Sequence, residues 1–121
     1  MGTETTVLVE SITDQSDDPT EFLFSDKKKG SGYNGRGRGL HTAIFELAGF
    51  LGTIKLQGTL EMIPGDSDWV DIKFDDLTEL DTEDSTLLSG NLSKNFTGNW
   101  LWIRAAYSIQ QGSITRIRFN F

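Results

Sequence analysis

His41 is the single histidine in the chain, so any Ser/His/Asp arrangement has to be built on it. Such an imidazole needs a nucleophile at one nitrogen and an orienting carboxylate at the other. No serine lies in a Gly-x-Ser-x-Gly elbow, and a lone histidine after a glycine-rich stretch reads as structural. Cysteine is absent, which removes thiolate nucleophiles, thiolate metal sites and disulfides together. Asp66 with Asp68, and Asp81 with Glu83 and Asp84, offer the oxygens that Ca²⁺ takes. Neither set follows EF-hand spacing, and acidic turns are ordinarily just solvated. A glycosidase pair would need two carboxylates facing across a cleft, and no cleft-forming residues are evident in so short a chain. Gly30–Gly35 (GSGYNG) matches Gly-x-Gly-x-x-Gly in letters. It follows a lysine run and opens no amphipathic helix, so the dinucleotide reading fails its context. No enzyme, cofactor or metal is expected.

Binding chemistry is better represented. Asp26–Gly39 (DKKKGSGYNGRGRG) sets one Asp against five Lys and Arg, a local charge of +4 in a chain of −7, which leaves −11 elsewhere. A basic segment on an acidic body suits an acidic neighbour or an identical acidic body; the plainer alternative is a solvated loop. Tyr33–Gly39 (YNGRGRG) is similar to short RGG tracts that contact single strands. With only Arg36 and Arg38 in it, on so acidic a chain, nucleic acid is disfavoured. Trp69, Trp100, Trp102 and Tyr33 are of the type that stacks on sugar rings, which keeps a carbohydrate-binding module as the alternative. Asn91-Leu92-Ser93 and Asn95-Phe96-Thr97 satisfy the glycosylation sequon. They matter only in a secreted eukaryotic chain, and Met1 leads into a polar segment without a leader pattern.

These residues must be positioned by strands. The 121 residues carry three Trp, eight Phe and 13 Gly but only two Pro, a composition for one domain of short strands and tight turns. No apolar run reaches the length of a membrane span, so a soluble protein is expected. Strands are predicted at Thr5–Ile12, Glu21–Ser25, His41–Leu47, Thr53–Glu61 and Trp69–Phe74. Short ones are predicted at Thr86–Ser89 and Ser93–Thr97, followed by a closing pair, Trp100–Ile109 and Ser113–Phe121. Ala48–Gly52 and the residues around Gly112 are predicted as turns, and 26–39 as an exposed Gly/Lys/Arg-rich loop. About eight short strands indicate an all-β fold, a single-domain antiparallel β-sandwich or jelly roll. Alternation puts Ile103, Ala105, Ile117, Phe119 and Phe121 in the core and points Trp100, Trp102 and Arg104 the other way. Two adjacent outward tryptophans suggest an interface; the opposite register would bury both.

GYNGRGRGLHT at 32–42, LQGTLEMIPGDSDWVDI at 56–72 and NFTGNWLWIRAAYS with GSITRIRFNF at 95–121 resemble small virion structural proteins of tailed bacteriophages. The likeness is to those of myoviruses infecting marine cyanobacteria. The order of these motifs carries the resemblance, which covers roughly residues 30–121; the KKK…RGRG segment departs from the family pattern. The resemblance implies a non-enzymatic β-sandwich located in the virion as a capsid decoration, neck, tail or fibre-associated subunit. The partners it implies are major capsid, tail or neck proteins, with many copies assembled on the particle. A receptor-contacting fibre module that binds carbohydrate is the alternative. The contacts expected are Trp100 and Trp102 as apolar anchors, with Lys27, Lys28, Lys29, Tyr33, Arg36 and Arg38 meeting an acidic partner.

Overall fold

The structure, a computed structural model, describes residues 5–13, 15, 21–33, 39–76, 80–81 and 88–120. Its strands are β1 (Thr6–Ile12), β2 (Leu23–Phe24), β3 (Lys28–Lys29), β4 (Leu40–Thr59), β5 (Val70–Asp71), β6 (Leu80–Asp81), β7 (Leu88–Thr97) and β8 (Trp102–Asn120). The fold is all-β. One hydrogen-bonded antiparallel sheet connects all eight strands. Among the described residues no helix is long and apolar enough to cross a membrane.

Two strands form the spine, and here the expectation of uniformly short strands is corrected. β4 runs for 20 residues and β8 for 19. They pair from Thr42 opposite Asn120 to Thr59 opposite Trp102. The expected turns at Ala48–Gly52 and around Gly112 do not reverse the chain. They lie side by side, with Ala48 opposite Ser113, Leu51 opposite Gln111 and Gly52 opposite Ile109, as slips in a register that continues on both sides. The closing pair of strands is therefore one bent strand. Glycine serves a bulge as well as it serves a turn. Gly112 has φ +78°, and a Cβ there would collide with the carbonyl oxygen of Gly49.

The slips show in which side chains face inward. Along β4, buried Ala43, Phe45 and Leu47 give way to Phe50, Ile54 and Leu56; along β8, Ile103, Ala105, Tyr107 and Ile109 give way to Ile114 and then Ile117 and Phe119. Extra residues in a strand change the parity of the alternation, so both halves keep their apolar faces on one core. Beyond the bend, the first half of β4 lies between β7 and the end of β8, which pairs with β1 in turn. The second half of β4 pairs with β5, β6 and the start of β8, which carries β2 and β3 on its far side. The halves meet in one hydrophobic cluster, where the Phe74 ring lies 5.9 Å from Phe45 and 6.5 Å from Phe96. On the outer face, Glu46 pairs with Arg116, and the Arg118 Nε lies 3.7 Å from the same carboxylate.

The short strands also differ from expectation. Ser93–Thr97 and the described part of Thr86–Ser89 belong to one continuous β7, while residues 86 and 87 lie outside the described residues. Part of the predicted exposed loop is structured: Lys28 and Lys29 pair with β8, and Gly30, Ser31 and Gly39 are buried.

Candidate docking surface

β8 leaves its irregular entry at Trp102, and from there alternate residues, Trp102 and Arg104, face outward over the first half of the strand. The half-buried Trp102 donates its indole N–H to the Met62 carbonyl at 2.9 Å. The Tyr33 ring meets it edge-on at 5.0 Å and 66°. Lys27 Nζ lies 4.9 Å from the Trp102 ring centre, and Lys29 Nζ 4.4 Å from that of Tyr33. Pairing explains the grouping, since Lys29 is the cross-strand partner of Trp102 and such partners emerge on one face. The turn after β3 then folds Tyr33 back, with the Gly30 N–H bonded to the Leu101 carbonyl and the Gly32 N–H to that of Trp100.

One step along β8, Arg104 lies over two rings, 4.1 Å from Phe24 and 4.4 Å from Trp69. Its Nε donates to Gln57 Oε1 at 2.8 Å, and Gln57 Nε2 donates to Asp71 Oδ1 at 2.9 Å. Burial against the rings lowers the Arg104 pKa, with Asp66 pulling weakly the other way. Lys55 continues the row over Phe22 at 4.9 Å, paired with Asp71 at 3.4 Å. Beside Trp102 the chain exposes Leu60, Met62 and Ile63, the last 90 % accessible. Cations alternating with aromatic rings, each pair contributing about 0.5–1 kcal/mol at exposed positions, therefore border an apolar rim.

Of the residues expected to bind partners, the structure brings together Lys27, Lys29, Tyr33 and Trp102. Lys28 pairs with Ile103, so its side chain leaves on the opposite face. Arg36 and Arg38 lie outside the described residues. Trp100 is a correction. It precedes β8, so strand alternation does not reach it, and its ring packs against the core over Gly58 and Gly98, where a Cβ on either glycine would collide with it. Its indole N–H is enclosed, with no acceptor among the described residues. Trp100→Ala is expected to cost about 3–5 kcal/mol of stability. Trp100→Phe should stay within about 1 kcal/mol of wild type, because shedding an unpaired buried N–H offsets the lost volume. Urea unfolding of both variants checks this, and a costly Trp100→Phe would contradict the packing.

His41 is 2 % exposed and serves the same region from beneath. Its Nε2 lies 3.2 Å from the Ser31 N–H, which donates to it, and its Nδ1 lies 3.1 Å from the Gly39 carbonyl, to which it donates. A carbonyl only accepts and an amide N–H only donates, so the ring is the neutral Nδ1–H tautomer. It stacks on Phe96 at 4.5 Å and 7°. One imidazole thus joins Ser31 to Gly39, on either side of the undescribed residues 34–38.

Among the described residues, no group of His, Asp and Glu is arranged to hold a metal ion. Asp68 instead accepts the Gly65 N–H at 2.7 Å within the 3₁₀ turn Asp66–Asp68, and Glu83 and Asp84 lie outside the described residues. No family model, curated protein or solved structure matches the chain.

The sequence reading missed Arg104 and Phe24 as site residues. Alternation already placed Arg104 beside Trp102. The two rings that hold it come from β2 and from the segment before β5, and no local pattern reports that meeting.

Proposed function

We propose that this chain is a non-enzymatic structural subunit of a tailed-bacteriophage particle, and that it docks on capsid, neck or tail proteins through the Lys27–Tyr33–Trp102–Arg104 surface. The motif order between residues 32 and 121 supports the phage setting. The surface supports the docking role: rings fixed by hydrogen bonds and cations stand beside an exposed Leu60–Ile63 rim, the combination of anchors and border that stable interfaces use. The partner that fits is acidic, because Lys27 and Lys29 have no counter-ion among the described residues. Many copies on a symmetric particle would multiply a modest contact. A sugar platform is disfavoured by the cations that already cover Trp69, Trp102 and Tyr33.

Immunogold labelling of particles purified from the virus that encodes the chain should place it on the capsid or tail. Label confined to the lysate and absent from particles would overturn the assignment. Trp102→Ala should reduce rebinding to particles stripped of the subunit by about tenfold or more with the domain still folded, whereas neutralising Lys27, Lys28, Lys29, Arg36 and Arg38 should weaken it more at low salt than at high. Unchanged rebinding would remove this surface from the proposal, and selective binding to a glycan array would favour the carbohydrate module.

A further inference from the structure

Arg104 is held more completely than a surface arginine needs to be. The guanidinium lies over both the Phe24 and the Trp69 ring, 4.1 and 4.4 Å from their centres. The Nε–H is committed to Gln57, whose amide is oriented in turn by Asp71. What remains is the in-plane edge carrying the two Nη groups. Among the described residues no carboxylate pairs with it, and Asp66 acts on it only as a more distant charge. A half-buried cation is thus held through its Nε–H and its rings, with no carboxylate on its bidentate edge among the described residues.

We propose that Arg104 is a carboxylate-recognition site, its Nη edge receiving an Asp or Glu side chain from an acidic segment of a partner protein. This deepens the docking reading and rests on it. A rigid fork matches a carboxylate through two parallel hydrogen bonds, which a lysine ammonium does not reproduce. Phe24 and Trp69 prepay the loss of side-chain freedom that binding would otherwise cost. Lys27 and Lys29 flank the fork at the next position along β8 and extend the attraction to further acidic residues of the segment. A phosphate would also fit the fork. A chain of net charge −7 disfavours the approach of a nucleic acid, whose phosphates run on well beyond one fork.

The test uses the full chain labelled with ¹⁵N and titrated at low salt with end-blocked hexaglutamate, and separately with the hexanucleotide of deoxythymidine. Hexaglutamate should shift the Arg104 Nε–H and Trp69 indole signals. Arg104→Gln should weaken its binding about tenfold or more, and Arg104→Lys nearly as much, while Lys27→Gln should weaken it less. Arg104→Lys keeps an aliphatic stem against the rings, so a folded variant is at hand, and the melting temperature of each variant verifies this. Three results would overturn the proposal: Arg104 and Trp69 signals unmoved at millimolar peptide, full affinity in folded Arg104→Lys, or tighter Arg104-dependent binding of the oligonucleotide. Particle labelling that persists alongside any of these would leave the virion role standing and remove only the carboxylate site.

Discussion

Gly112→Val is expected to remove a large share of the domain's stability. Gly112 has φ +78°, and its added Cβ would enter the carbonyl oxygen of Gly49 on the neighbouring strand. A β-branched residue in that region carries about 1–3 kcal/mol of backbone strain. Overpacking adds about 1–3 kcal/mol, and here the obstacle is backbone, which cannot rotate aside. The total is about 2–6 kcal/mol against a domain stability of about 5–15 kcal/mol. Gly49→Ala is the control: φ is +55° but nothing lies near the new Cβ, so the cost should be about 1 kcal/mol. Urea titrations followed by tryptophan fluorescence measure both. Equal costs for the two variants would mean that β4 and β8 are not locked together at their bends.

That bend marks where the sequence was legible and where it was not. The alternation of Ile103 with Ala105, and of Ile117 with Phe119, reads directly as core, and all four are buried. Gly49, Gly52 and Gly112 signal irregularity just as plainly. Whether a glycine reverses a strand or only kinks it is decided by the partner strand, and the partners across β4 and β8 lie between 43 (Thr59 and Trp102) and 78 (Thr42 and Asn120) residues apart in the chain. The pairing of Lys28 and Lys29 was hidden for a related reason. Two lysines have little strand preference of their own, and the ladder of β8 recruits their backbone.

The surface divides the same way. Trp102 and Arg104 were placed correctly relative to each other because two residues on one strand share a face. Trp100 was misplaced because the alternation was carried two residues beyond the true start of the strand. A usable signal existed in Gly58: a glycine inside an otherwise regular strand often marks close approach by another group, and the Trp100 ring is what approaches. The cation–ring pairs are set by charge type and by nonlocal neighbours together, so sequence supplies the participants without the pairing. The role of His41 was legible in kind, as structural, but its contacts needed the fold.

The other large effect belongs to that histidine. Burial holds the His41 pKa below its ordinary value of 6.5, opposed by hydrogen bonds to the backbone of Gly39 and Phe96. Among the described residues the ring packs on Phe96 and Phe119 and meets Ser31 and Gly39. The unfolded chain therefore takes up the proton first as pH falls. Stability is complete above pH about 6.5 and is lost as pH drops through the folded value. Glu46, held below its ordinary 4.5 chiefly by its hydrogen bond to Arg116, loses its contribution in a separate, more acidic window. Protonated His41 would also place a donor against the Ser31 N–H, so acid should loosen the turn that carries Tyr33 before it disturbs β7. With one histidine in the chain, a ¹H–¹⁵N long-range spectrum reads a single ring; it should show the Nδ1–H tautomer at pH 7 and a midpoint below 6.5. His41→Ala, which unpairs Ser31 and Gly39 and empties the stack on Phe96, should cost about 3–5 kcal/mol at pH 7. The penalty should shrink toward pH 5, because only the wild type loses the imidazole term there. A midpoint at or above 6.5, or a penalty that grows on acidification, would show that the ring is not the neutral clamp its contacts describe.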